Sequence, residues 1–306
     1  MIRIYHKKAK NKEVEIIQDY QKGSWIYVET PTEIEIHELA EKLGLEIGHL
    51  RDALDINEVP RLEREDGTTY IFTRFAYTEN SLIETAPLLI IIMKNYFVTL
   101  LPIPMTRLEK LQSHKMFTST TNQAKLLTNI LHQIMMSYND YLNIIAKKVR
   151  VSTINLENVK NRDIIQFVQY ESVLNDFILG LVRTSTILHG FLPGKIIPLT
   201  VDEHDLLEDV SLYNGQLIQL SNENLRTIVN IREAYSTIMT NKLNQVIKLF
   251  TSLTVVLTIP TIISSFFGMN VNLPVNNQPF AFFQILFITL TVVGIVIIIF
   301  KKRDYL

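Results

Sequence analysis

Between Leu249 and Phe267 the chain carries hydroxyls at Thr251, Thr254, Thr258, Thr261 and Ser265. Their steps of three and four residues set them along one face of a helix, and the same spacing takes in Asn244 and Ile247 before them and Gly268 after them. Off that line, this stretch has hydroxyls only at Ser252 and Ser264. In apolar surroundings such a face either glues one helix to another or borders water. Upstream the line runs back through Thr240, Thr237, Glu233, Asn230, Arg226 and Glu223. A polar path entering a membrane needs that continuity; an ordinary solvated helix face is the other reading of the upstream part. Leu243, Met239, Tyr235, Ile231 and Ile228 fall away from the line and are expected to pack against neighbouring chains.

A second group able to do chemistry is the acidic run Asp202-Glu203-His204-Asp205, followed by Glu208-Asp209. Carboxylates in a first helical turn complement the helix dipole, which accounts for Asp202 to Asp205. Glu208 and Asp209 lie beyond that turn and are the candidates for holding a divalent cation. Other chemistries are poorly served. The chain has no cysteine, which removes disulfides, thiolate zinc sites and thiol catalysis. Its seven histidines are scattered, with no nucleophile–base pair beside them, and no glycine-rich phosphate loop is present. No catalytic residue and no organic cofactor are expected. A net charge of −1 gives no electrostatic ground for nucleic-acid binding.

The elements that must position these residues follow from the pattern along the chain. Residues 1 to 104 read as an α/β domain, with strands at Ile2–Tyr5 and Trp25–Val28 and a capping box at Thr30-Pro31-Thr32-Glu33, its proline at the first helical position, that opens a helix through Leu43 and stops at Gly44. A short helix is expected from Glu46 to Leu54. One hairpin turns at Asp66-Gly67, and another turns near Lys94-Asn95 after the apolar run Leu88–Met93, which reads as a strand covered on both faces. Residues 105 to 200 carry apolar residues at helical spacing over Ser119–Thr153 and Asn161–Leu192, a helical hairpin ended by Pro193-Gly194 and Pro198. From 201 no proline intervenes until Pro260, so residues 201 to 248 form a stalk helix that continues into the apolar tail.

That tail, 249 to 306, has no Asp, Glu, Lys or Arg between Leu249 and Phe300. Two stretches within it, about 249–268 and 280–300, match the roughly 20 residues that cross a hydrocarbon core. Lys242 and Lys248 precede the first, and Lys301-Lys302-Arg303 follow the second. The positive-inside rule then puts both termini in the cytoplasm of a cell-membrane protein, with the loop between the spans outside. No apolar leader is seen at Met1–Lys8. The fold class expected is α+β membrane protein: an N-terminal α/β cytoplasmic domain, long stalk helices and two C-terminal transmembrane helices in contact with lipid. Two spans cannot enclose a water path, so conduction requires several copies.

Gly268-Met269-Asn270, placed at the outer end of the first of two C-terminal spans, resembles the signature of the CorA family of magnesium and cobalt transporters. Asn244-Gln245-Val246-Ile247-Lys248, Pro260 and the basic end extend the likeness. Asp52-Ala53-Leu54-Asp55, Val59-Pro60-Arg61-Leu62-Glu63 and Glu208-Asp209-Val210 do so upstream. The resemblance implies a homopentamer whose long helices form a funnel. Its first spans line the pore with Asn244, Ile247, Thr251, Thr254, Thr258, Thr261 and Ser265, and Asn270 meets the hydrated ion at the outer mouth. It implies Mg²⁺, with Co²⁺ or Ni²⁺ as further ions, taken up down the membrane potential and regulated by Mg²⁺ at Asp209 and Glu208, with Glu79 of a neighbouring copy as a partner. The chain departs from the family pattern in two places. Its outer loop, Val271 to Pro279, has no carboxylate, and Thr251, Thr254 and Thr258 stand where large apolar residues commonly narrow the pore, leaving Ile247 and Phe250 as gate candidates. Two alternatives stay open: a zinc transporter of the related branch, and a membrane-anchored sensor or scaffold that conducts nothing.

Overall fold

The computed structural model describes residues 1–7, 15–113, 119–154, 156, 159–269, 271 and 280–303, without the side chains of 110–113. The chain divides into two compact units, Met1–Ile231 and Arg232–Leu306.

The first unit is built on a seven-stranded sheet in the order β2-β1-β3-β7-β6-β5-β4. Its strands are β1 (Ile2–His6), β2 (Glu15–Ile17), β3 (Ser24–Glu29), β4 (Arg61–Glu65), β5 (Thr68–Glu79), β6 (Leu82–Ile92) and β7 (Tyr96–Leu101). All pairs are antiparallel except β3 with β7. Between β3 and β4 lie α1 (Glu33–Leu43) and α2 (Ile47–Asp52). The capping box that opens α1 is formed by the Thr32 hydroxyl and Glu35 carboxylate, two residues later than the expected Thr30–Glu33, because Thr32 has the extended backbone of an N-cap whereas Thr30 has a φ of 43°. Gly44 at φ 65° closes the helix in the left-handed conformation that a Cβ disfavours. Asp66 and Gly67, with φ of 47° and 77°, make the tight β4–β5 turn.

The β5–β6 hairpin is missing from the sequence reading. Its turn is Asn80-Ser81, both with positive φ, and it joins the two longest strands in register from Thr69·Ile92 to Glu79·Leu82. Asn tolerates the left-handed region, so Asn80 was the available signal. The apolar run in β6 is covered on both faces, as expected for a buried strand. Leu88, Ile90 and Ile92 face one core, whereas Leu89 and Ile91 face the other. The smaller core lies under α1 and α2.

The larger core lies under the long helices: α4 (Gln123–Ile154), α5 (Asn161–Phe191) and the first part of α6 (Val201–Phe267), preceded by a short α3 (Thr106–Ser113). α4 and α6 run side by side in the same direction. The Asn122 amide before α4 donates to the Glu203 carboxylate in the first turn of α6, and farther along His132 stacks on Tyr213 with ring centroids 6.2 Å apart. Asn214 of α6 donates to the Leu181 carbonyl of α5 at 3.0 Å. Ile228 and Ile231, expected to meet neighbouring chains, are 0 % and 3 % exposed within this unit and belong to its own core. Sequence period marks an apolar face but not which surface covers it; here the hairpin of the same chain does.

The second unit holds the remainder of α6 and α7 (Ala281–Lys302). Both helices are long and apolar enough to cross a membrane by length and composition. Pro260 lies inside α6, where its ring nitrogen offers no donor to the carbonyl one turn back.

Candidate functional site

The expected polar line lies entirely on α6. Asn244, Ile247, Thr251, Thr254, Thr258, Thr261 and Ser265 are all exposed in the single chain. Exposure alone does not single them out, since Leu253 and Leu257 on the same helix are exposed as well. Three of its hydroxyls commit their protons to the helix backbone, as Ser264 off the line also does. Thr254 donates to the Phe250 carbonyl at 2.8 Å, Thr258 to Thr254 at 2.7 Å, and Thr261 to Leu257 at 3.2 Å. The same back-bonding recurs upstream, from Thr237 to Glu233 and from Thr240 to Ser236. A hydroxyl has one proton and two lone pairs. With its proton committed to the helix, each of Thr254, Thr258 and Thr261 turns a bare acceptor toward its surroundings. Ser252, off the line, is fully buried and donates to Leu249 at 2.9 Å.

At the end of α6, the Gly268 N–H donates to Ser264 at 2.9 Å and the Met269 N–H reaches Phe266 at 3.4 Å. A Cβ on Gly268 would stand 3.2 Å from the Ser264 carbonyl oxygen, so this turn is closely wound against backbone. Gly268 and Met269 are exposed; Asn270 and the loop residues 272–279 lie outside the described residues.

At the other end of α6, the acidic run splits into two roles. Glu203 is an architectural residue. It accepts from the Thr200 N–H at 2.9 Å, while its own N–H donates to the Thr200 hydroxyl at 3.4 Å. This is a capping box that the Thr200-x-x-Glu203 spacing already carried and the sequence reading passed over. These bonds, the Thr200 N–H first and the Asn122 amide next, hold the Glu203 carboxyl below the ordinary glutamate pKa. His204, Asp205 and Glu208 bring one ligand atom each within 4.8 Å of one another. Spacing of one and four residues on a helix does this, and it joins Glu208 to His204 rather than to Asp209. Glu208 and Asp209 are both exposed. Glu79, the candidate partner, lies at the end of β5, where the Tyr77 hydroxyl is 2.9 Å from Glu84 and 3.4 Å from Glu79.

The family description "CorA-like Mg2+ transporter protein" matches residues 20–302, nearly the full length. The chain belongs to this family. Members are transporters and not enzymes. The chain is 25 % identical over 291 residues to the cobalt/magnesium transport protein CorA of Methanocaldococcus jannaschii, covering 92 % of this chain and 91 % of that one. The complete structure of the CorA magnesium transporter from the same organism superposes with a TM-score of 0.88 at 21 % identity, covering 100 % of this chain and 99 % of the other. The fold is shared more widely. The full-length CmaX protein matches at a TM-score of 0.77 and 15 % identity, over 98 % of this chain and 96 % of that one. The ZntB cytoplasmic domain from Vibrio parahaemolyticus matches at 0.66 and 10 %, over 78 % of this chain and 98 % of that domain.

Proposed function

We propose that this CorA-family chain is a divalent-cation uptake channel for Mg²⁺, with Co²⁺ or Ni²⁺ as further ions, working as a homopentamer in the cell membrane with both termini cytoplasmic. The observation that carries this reading is the back-bonded hydroxyl line. Water molecules around Mg²⁺ turn their oxygens to the ion and their hydrogens outward, and Mg²⁺ sheds them reluctantly. A wall of acceptors with no free protons suits that hydrated cation and offers nothing to an anion. Five copies of α6 placing Thr254, Thr258 and Thr261 on a common axis supply such a wall, continued by Thr251 and Ser265 on the same face, with Asn244 and Ile247 at its inner end.

Gly268, Met269 and Asn270 form the outer mouth in this proposal, with the Asn270 amide oxygens holding the hydrated ion by neutral contacts weak enough to release it. Two positive charges moving inward gain about 4–5 kcal/mol per 100 mV of potential, so no nucleotide is required. Regulation by cytoplasmic Mg²⁺ at Glu208 and Asp209 belongs to the same proposal. A bound cation relieves carboxylate repulsion between copies and favours the closed state.

The test is flux into liposomes carrying a Mg²⁺-sensitive dye under an imposed inside-negative potential, repeated with Co²⁺, Ni²⁺ and Zn²⁺. Potential-dependent Mg²⁺ uptake that is lost in Asn270→Ala, with assembly intact, is the expected result. Zn²⁺ uptake without Mg²⁺ uptake reassigns the ion, and no flux of any ion overturns conduction in favour of a sensor or scaffold.

A further inference from the structure

The final turns of α6 hang on one serine. Pro260 has no N–H, so the helix loses the rung to the Val256 carbonyl. The segment from Pro260 to Gly268 is therefore joined to the rest of α6 by one bond fewer than a regular helix supplies. Beyond the gap, hydroxyls add bonds to the carbonyls that follow. Thr261 donates to Leu257 at 3.2 Å, and Ser264 donates to Pro260, with the Thr261 carbonyl as a second acceptor at 3.5 Å. The Ser264 carbonyl in turn accepts the Gly268 N–H at 2.9 Å, and the same oxygen stands 3.2 Å from where a Gly268 Cβ would lie. Pro260, Ser264 and Gly268 are coupled in series through the hydroxyl and the carbonyl of a single residue.

Thr261 belongs to the polar line and has a place there in its own right. Ser264 does not. It follows Leu253, Leu257 and Pro260 at steps of four, three and four, on a face that those residues make apolar. As a small residue that lets another helix approach, it would need no hydroxyl. Alanine would serve, without a polar atom to satisfy in apolar surroundings. What the hydroxyl does have is a bond to the carbonyl of the residue that breaks the ladder.

We infer that Ser264 is a positioning residue for the outer mouth. Serine bonds of this kind bend a helix, and in membrane helices such side chains compensate for a proline. Here the bond fixes the angle at which the final turns of α6 leave Pro260, and with it the placing of Gly268 and Met269. Neutral oxygens that hold a hydrated ion weakly depend on that placing. Its loss is therefore read in ion affinity while the chain still assembles. The inference rests on the mouth proposed above for the role of this turn, but not for the bond that holds it.

Two measurements keep the bond and the conduction apart. In the full chain, which has no cysteine of its own, Met269→Cys carries a spin label and Met239→Cys serves as the control; both methionines are exposed. Ser264→Ala is expected to narrow the spectrum at 269 as the turn gains freedom, and Ser264→Thr to leave it unchanged. An unaltered spectrum at 239 reports that the helix is intact. In liposomes, without labels, the Mg²⁺ concentration that half-saturates potential-driven flux is expected to rise about fivefold in Ser264→Ala, the loss of one net hydrogen bond. Ser264→Thr should return it to the parent value. In a Pro260→Ala background, which restores the missing rung, Ser264→Ala should have little effect. Parent-like behaviour of Ser264→Ala overturns the inference. So does a Ser264→Thr variant as impaired as Ser264→Ala, which assigns the position to packing. An effect undiminished beside Pro260→Ala overturns it as well. If the parent carries no ion, the proposed function falls and the label at 269 still decides.

Discussion

The Asn122 side chain faces two ways: its carbonyl oxygen accepts from the Lys125 N–H in the first turn of α4, at 3.0 Å, and its amide donates to the Glu203 carboxylate in the first turn of α6. One residue thus caps one long helix and ties it to the start of the helix that carries the polar line. The register of α4 against α6 is set there, at the end of α6 remote from its apolar part.

Glu203→Gln tests that tie. The carboxyl is held below its ordinary pKa by the Thr200 N–H and the Asn122 amide. As pH falls the unfolded chain therefore takes up the proton first. The contribution is full above the unfolded value of about 4.3 and is lost as pH drops through the folded one. The variant is expected to be less stable near neutrality by about 1 kcal/mol. The gap should close in acid. Thermal unfolding of the detergent-solubilised chain across that range checks it, and a gap independent of pH would refute the charge-assisted role.

A second prediction concerns the Tyr138 hydroxyl. It is wholly buried and has no hydrogen-bond partner among the described residues, and burial drives its pKa upward. Removing an unpaired buried polar atom relieves a desolvation cost of about 1–3 kcal/mol. Tyr138→Phe is expected to raise the unfolding temperature while leaving its ring edge-on to Phe177 at 4.8 Å. Lower stability would mean that the hydroxyl is satisfied.

Gly180→Ala should act in the opposite sense. The added Cβ would meet that same hydroxyl at 3.0 Å in a packed interior, a crowding that costs about 1–3 kcal/mol. In the Tyr138→Phe background the penalty should shrink, because the atom that is struck is gone. A Gly180→Ala penalty of unchanged size in that background would locate the strain elsewhere.

For the polar line, Thr254→Val and Thr258→Val keep shape and remove an acceptor. Together they are expected to lower Mg²⁺ flux by about tenfold, roughly 1.4 kcal/mol of barrier, while Thr→Ser at both sites retains most of it. Liposome flux at fixed potential measures this. Valine variants that conduct like the parent would assign the threonines to helix packing instead.

The Trp25 indole donates to the Thr99 hydroxyl at 2.9 Å inside the sheet, where both side chains are fully buried. Thr99→Val removes that buried acceptor and is expected to cost about 1 kcal/mol, read as a lowered unfolding temperature. Thr99→Ser should recover most of the loss.

Local chemistry made much of this protein legible in its sequence. The Gly44 stop and the Asp66-Gly67 turn each rest on a backbone preference expressed within a few residues. The capping box of α1 falls two residues later than its pattern predicts, at Thr32–Glu35 and not Thr30–Glu33, because both threonines have a glutamate three residues on. The apolar tail and the line from Asn244 to Ser265 rest on helical period, which any long helix must obey. Chain-distant contacts decided the rest. The β5–β6 hairpin outgrew its weak turn signal because two strands bury both their faces. Ile228 and Ile231 turned inward because the α4–α5 hairpin of the same chain covers them. Glu203 became a tie between helices because Asn122, 81 residues earlier, meets it. His204 came together with Asp205 and Glu208 on a turn that the charge run alone did not distinguish. Sequence by itself determined which faces are apolar and which carry acceptors; only the tertiary structure decided what each face meets, because burial depends on surfaces that separate parts of the chain bring together.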